Sequence, residues 1–301
     1  IYRIQYSPDG KYLATRNNNN TVAIFDLTSQ NQEQVCEIDG HEEWVQTIDF
    51  SIDSQYFMTA AGANEKVKIW NTQTGKLESE IDTDGSAAFF DPAGDAINVL
   101  GETHVETYSW PGVQMTGQKK WRRNNETRSL VSRDGRYVVA YRPLNRQVFQ
   151  TLLIDVESRS NVQLSGPTGT PKCVKISADN VWVVASYNRD PKIRLWDLRD
   201  PSQRRYELRK HDETVQSVSF SPDGRFLVSS SWDEKVIVWD LLTRQPVGEF
   251  LGHSEHVNAT AFAPLDYGFA SGASGTTDCS TILWDMKELL FKPEHKPDPN
   301  S

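Results

Sequence analysis

The chain has 301 residues, a net charge of −9 and a mean hydropathy of −0.58. It has no run of about 18 apolar residues, so no membrane span is expected, and its start carries no secretory-signal pattern. An acidic chain without a basic stripe argues against a nucleic-acid partner. Cys36, Cys173 and Cys279 are odd in number and lack metal-ligand spacing. A reduced, intracellular and specifically cytoplasmic protein is therefore expected, with no metal and no cofactor.

Short segments that alternate apolar and polar residues, the two-residue period of a half-buried strand, recur along the chain. The first group, 1–40, contains IYRIQYSPDGKYLATR, TVAIFDL and a fourth segment, Gln34–Ile38. Its Ser7-Pro8-Asp9-Gly10 reads as a tight turn: proline pre-sets φ, aspartate closes an Asx turn and glycine accepts positive φ. The second group, 41–82, follows Gly40 and holds His41, VKIWN and Lys76–Ile81, with Asn64 where later groups have aspartate. The third, 83–123, is weaker: Phe90-Asp91-Pro92-Ala93-Gly94 supplies the turn, VETYSW the third segment, and the fourth segment is poorly marked. The fourth, 124–169, has Ser132-Arg133-Asp134-Gly135, TLLIDV and Asn161–Leu164, with Arg142 to Gln147 as an insertion.

The fifth group, 170–210, has Asp190, IRLWDL and Arg205–Leu208. The sixth, 211–252, is the most complete: Val215–Phe220, Arg225–Ser230, Lys235–Trp239 and Val247–Phe250, with Ser221-Pro222-Asp223-Gly224 in the first turn and Asp233 in the second. The seventh, 253–290, has an insertion around Ser274–Thr276 and no candidate fourth segment after Asp285. Residues Phe291 to Ser301 carry three prolines and are expected to be disordered.

The third segments end at Phe25, Trp70, Tyr108, Ile154, Trp196, Trp239 and Trp284, at intervals of 45, 38, 46, 42, 43 and 45 residues. With HDETVQSVSFSPDGRFLVSSSWDEKVIVWD as the best copy, the chain resembles the WD40-repeat family over nearly its whole length. The resemblance implies an all-β, seven-bladed propeller of four-stranded antiparallel blades, and closed β folds of this length form a single unit. In that family an outer strand from the other end of the chain closes the ring. Because the chain opens on an inner strand, the last blade is expected to lack its outer strand, which would lie upstream of Ile1 in a longer protein.

His211, Ser229, Asp233 and Trp239 need a reason. Strand alternation directs Ser229 and Trp239 between blades, where an unpaired hydroxyl or indole N–H is costly. In the family the matching four form one hydrogen-bonded chain that ties a loop to a turn. The set recurs as His253, Ser271, Asp278 and Trp284, and with a change as His41, Thr59, Asn64 and Trp70. The same residue types could make a nucleophilic triad, but a triad is needed once and a staple in every blade. The first, third, fourth and fifth groups lack members of the set. No Gly-rich phosphate loop, HExxH or CxxC occurs, so no catalytic residue is assigned and the chain is not read as an enzyme.

The resemblance also implies that the face bearing the His loops and Asp turns meets partners. Counting along the repeats puts Tyr2, Trp44, Gln46, Ala63, Thr170, Lys172, Arg189, Thr214, Gln216, Trp232, His256, Asn258 and Thr277 on that face. Trp44 and Trp232 stand out, since exposed Trp and Arg are enriched at binding hot spots. The function expected is non-catalytic protein–protein recognition by a monomeric propeller domain of a larger signalling or assembly protein. Acidic loops at Glu42, Glu43, Glu213 and Glu255 point to a basic peptide segment as partner. Two alternatives stay open. Trp196-Asp197-Leu198-Arg199 matches the WDxR of substrate receptors in cullin-type ubiquitin ligases, and a ligand-sensing propeller would need polar groups converging on the central channel.

Overall fold

The computed structural model describes residues 1–287 other than 18–19, 63–64, 84, 86, 102, 121–126, 133–135, 144–148, 159, 165–170 and 201–203. Its hairpins follow from their turns. In Ser221-Pro222-Asp223-Gly224 the serine hydroxyl donates to Asp223 Oδ1 (2.5 Å) and accepts the Phe226 amide (2.8 Å), while Gly224 takes φ +68°. The same knot forms at Ser7, Ser51 and Ser177. This turn fixes the register, setting Phe220 opposite Leu227 and Val218 opposite Ser229.

Among the described residues 27 strands form seven antiparallel meanders, six of four strands and one of three. Blade six is Val215–Phe220, Phe226–Ser231, Val236–Asp240 and Gln245–Phe250. Blade seven has Val257–Phe262, Gly268–Ala273 and Thr281–Asp285, the three strands expected from the sequence. The innermost strands stand around a central channel, beginning with Arg3–Tyr6 in blade one and ending with Val257–Phe262 in blade seven. This is a seven-bladed β-propeller. Blade one closes on blade seven by packing: Ile4, Tyr6 and Leu13 meet Ala259, Ala261 and Ala270, and the Ile1 nitrogen donates to the Ala273 carbonyl at 2.6 Å.

The core lies between blades. Phe226, Val228, Val236 and Val238 of blade six pack on Val257, Phe262 and Phe269 of blade seven. On the other face of the same sheet Leu227, Ile237 and Trp239 meet Val184, Ile193 and Leu195 of blade five. The second strand, Phe226–Ser231, is consequently buried at every position. Alternation in these middle strands sorts side chains between two neighbouring blades, whereas the sequence pattern had suggested core against water. Polar side chains tie the inner strands together across the gaps. The Phe262 amide donates to Ser219 Oγ (3.1 Å) and the Phe90 amide to Asp49 Oδ2 (2.9 Å).

Two sequence expectations change. The poorly marked outer strand of blade three is Met115–Lys120, nearly all of it exposed, so no apolar alternation exists to mark it. In blade four part of the inserted length extends the hairpin itself, since Tyr137–Pro143 pairs with Phe149–Asp155 as far as Pro143 opposite Phe149. The tail 291–301 lies outside the described residues.

Candidate functional site: the staples and the central cavity

In blade six His211, Ser229, Asp233 and Trp239 form one relay. With its proton on Nδ1, His211 donates to Asp233 Oδ2 (2.8 Å) and accepts from Ser229 Oγ at Nε2 (2.8 Å), and Ser229 Oγ accepts the Trp239 indole N–H (2.8 Å). Asp233 also takes the amides of Asp212 (3.0 Å) and Lys235 (3.1 Å), which joins the loop before the inner strand to the second turn. Burial alone would raise the Asp233 carboxyl, but the His211 bond and the two amides outweigh it and hold the pKa below the ordinary range. Blade seven repeats the relay through His253, Ser271, Asp278 and Trp284. Ser229 and Ser271 are 0% exposed, so no substrate can reach either hydroxyl and the triad alternative has no access.

Blade two corrects one assignment. His41 Nε2 and the Trp70 indole meet at Thr59 Oγ1 as expected, but His41 Nδ1 pairs with Glu65 Oε2 at 2.6 Å. The longer glutamate therefore supplies the carboxylate from the turn, and Asn64, the expected partner, lies outside the described residues. Gly40 precedes His41 because a Cβ there would stand 2.6 Å from the Trp70 ring.

Blades three and five lack the relay and carry substitutes that the sequence did not reveal. In blade three Glu106 accepts from Thr83 Oγ1 (2.6 Å) and Tyr108 OH (2.9 Å) and pairs with His104 Nε2 (2.9 Å). In blade five the 4%-exposed Arg194 pairs with Asp190 at 2.6 Å and lies over the Tyr187 ring. The only signal for either was a charged residue two positions before the third-strand aromatic, where the better copies have isoleucine.

The channel holds a cavity of about 600 Å³. Tyr2, Trp44, Gln46, Lys172, Gln216, Trp232, His256 and Asn258, spread over five blades in the sequence, all line it. Trp44 neither lies flat on its own loop nor stands alone: it meets Tyr2 of blade one edge-on at 5.6 Å, and the Arg16 guanidinium sits 4.8 Å from its ring centre. Trp232 crosses to blade seven, stacking on His256 at 5.1 Å and donating to Asn258 Oδ1 at 3.1 Å, with Lys172 Nζ 5.7 Å from its ring. Each tryptophan thus joins two blades at the mouth.

Other rim assignments lie off the cavity. Thr214 is buried and does not line the cavity. Arg189 is exposed in a turn at φ +59°, and Thr277 is exposed and bonded to Glu255, and neither lines the cavity. Ala63 and Thr170 lie outside the described residues. The WDxR residues satisfy each other: Arg199 makes two bonds to Asp197 (2.7 and 2.9 Å) and lies over Trp182, away from the cavity. Missed from the sequence were Arg3, Arg16, Lys175 and Asp49, which also line the cavity.

A seven-bladed ring with His–Ser–Asp–Trp relays in two blades and a His–Thr–Glu–Trp version in a third is the architecture of WD-repeat proteins. The family model "WD domain, G-beta repeat" matches residues 32–71, 158–197, 202–240 and 244–285. The chain belongs to this family. It is 22% identical over 298 residues to a WD repeat-containing protein WDS homolog of Arabidopsis thaliana, covering 94% of this chain and 55% of that protein. It is also 25% identical over 311 residues to a WD repeat-containing protein 26 homolog of Drosophila melanogaster, covering 95% of this chain and 46% of that protein. The chain spans about half the length of these curated relatives. Propellers of this family serve in general as protein-interaction scaffolds and not as catalysts.

Proposed function

We propose that the chain is a non-catalytic recognition domain of a larger signalling or assembly protein and takes a peptide segment of its partner over the cavity mouth. The observation that carries this is convergence: eight rim residues chosen by repeat position, Trp44 and Trp232 among them, border one cavity. Rigid scaffolds concentrate binding on such loops, and large half-exposed aromatics at a concave mouth are typical anchors. Exposed Glu42, Glu43, Asp212 and Glu213 around the mouth favour a segment with Lys or Arg flanking its anchor. A cytoplasmic, monomeric protein belongs to the same proposal, and the unpaired thiols of Cys36, Cys173 and Cys279 are consistent with that location.

The test is quantitative capture from cells by the wild type and by Trp44→Ala and Trp232→Ala at matched melting temperature. Loss of a hot-spot anchor costs about 2 kcal/mol or more, so the proteins captured by the wild type should fall roughly thirtyfold in affinity with the variants. Ile52→Lys and Leu265→Lys, on the exposed turns at the opposite face, serve as controls. Undiminished capture by both Trp variants, or loss confined to the controls, would refute the proposal.

A further inference from the structure

The cavity has the opposite charge to the chain. Among the described residues its walls carry Arg3, Arg16, Lys172 and Lys175 against a single carboxylate, Asp49, in a protein of net charge −9. Asp49 is itself engaged, accepting the Phe90 amide at 2.9 Å.

Arg16 is the unusual member. It is only 7% exposed, yet among the described residues it has no carboxylate partner. Its Nη1 donates to the Val45 carbonyl (2.9 Å), its Nε has no acceptor, and its plane is held near the Tyr2 and Trp44 rings at 5.3 and 4.8 Å. The Gln216 side-chain amide, also on the cavity wall, likewise has no acceptor for its NH2. A buried cation without a counter-ion destabilises a fold, and burial together with the neighbouring Arg3 pulls the Arg16 pKa down to about 10. A structural arginine would be paired with a carboxylate, as Arg194 is with Asp190 in blade five, although its Nε too lacks an acceptor. A guanidinium without a carboxylate of its own, on the wall of a cavity lined by further cations, calls for an acceptor-rich anion.

We propose that the central cavity receives an anionic side chain of the partner peptide, a carboxylate or a phosphate monoester, with Arg16 as its counter-ion and Trp44 and Tyr2 holding the guanidinium in place. The peptide rests on the partner-face proposal above, whereas the anion site does not. Acidic outer loops and a basic cavity together select an acidic residue flanked by basic ones.

The experiment has two stages, both on the full chain. First, inorganic phosphate is titrated at constant ionic strength against chloride, read by melting temperature and by the fluorescence of the tryptophans at the mouth. Phosphate should raise the wild-type melting temperature above the chloride control and leave Arg16→Met unmoved. Second, peptide pools with basic flanks and a fixed central Glu, phosphoserine, Gln or Lys are compared. Glu- or phosphoserine-centred pools should bind best, the stronger of the two identifying the anion, and should weaken roughly tenfold or more in Arg16→Met. Arg16→Met should melt at or above the wild type, because a group held for binding is removed.

A wild type indifferent to phosphate, equal binding by Arg16→Met, a preference for Lys-centred pools, or an Arg16→Met chain that melts well below the wild type would each overturn the proposal. Failure of the Trp variants to lose partner with phosphate binding intact would instead refute only the partner-face reading.

Discussion

Replacing Ser229 with alanine removes the node of the best-formed relay. Its hydroxyl serves two neighbours at once, accepting the Trp239 indole N–H (2.8 Å) and donating to His211 Nε2 (2.8 Å), with the Ile237 carbonyl a longer alternative acceptor at 3.3 Å. Ser229 is 0%, Trp239 1% and His211 6% exposed, so water cannot replace the lost partner. Leaving a buried polar group unsatisfied costs about 1–3 kcal/mol. The indole N–H bears this in full and the imidazole nitrogen in part, so Ser229→Ala should cost about 2–4 kcal/mol. At ~2–4 °C per kcal/mol for a large domain, the melting temperature should fall by roughly 4–16 °C. Trp239→Phe in the Ser229→Ala background should cost less than in the wild type, because the orphaned N–H disappears with the ring, giving a coupling of about 1–2 kcal/mol. Urea midpoints with an unchanged m-value measure all four corners of the cycle. A Ser229→Ala loss below about 0.5 kcal/mol, or additive losses, would refute the relay as one unit.

Glu65→Ala should destabilise by about 1–3 kcal/mol through its loss from His41 and the Glu43 amide, read by urea melting; a neutral effect would return the partner role to another residue. Asp233, Asp278, Glu65 and Asp190 are all held below the ordinary carboxylate range, each by hydrogen bonds that outweigh burial. Their contribution is complete above about pH 4 and is lost as pH falls through the lower folded values. His41, lowered by burial, adds to the loss below about pH 6.5, where the unfolded chain takes up its proton first, so a melting temperature flat from pH 7 to pH 3 would contradict the assignments. Gly40→Ala should cost about 1–3 kcal/mol by overpacking against Trp70, and an unchanged melting temperature would mean that the ring moves freely. Leu283, 38% exposed on the edge strand of blade seven that has no partner strand among the described residues, should when changed to lysine reduce concentration-dependent light scattering without lowering stability; unchanged scattering would mean that this edge does not self-associate.

Much of the architecture could be read from single segments, because local chemistry sets it. The Ser-Pro-Asp-Gly turns close through their own side chains, and each fixes the register of its hairpin within a few residues. The spacing of Trp70, Trp196, Trp239 and Trp284 counts blades, since every blade needs one bulky side chain at that depth between sheets. The relays of blades six and seven were legible for the same reason: four residues at fixed offsets within one repeat meet wherever that repeat folds.

Contacts made across repeats depend on the ring. Glu65 was passed over for Asn64 because the choice turns on how far a side chain reaches from a turn to His41, which spacing does not encode. Arg16 closes an ordinary strand, YLATR, and nothing in that segment alone marks it. Closure of the seven blades buries it beside Tyr2 and Trp44 and turns it toward a cavity whose other cations come from Arg3 and from blade five. Net charge is a sum over the chain and is fixed by composition, whereas the sign of a cavity depends on which few residues the fold turns inward. An acidic sequence can therefore enclose a basic site.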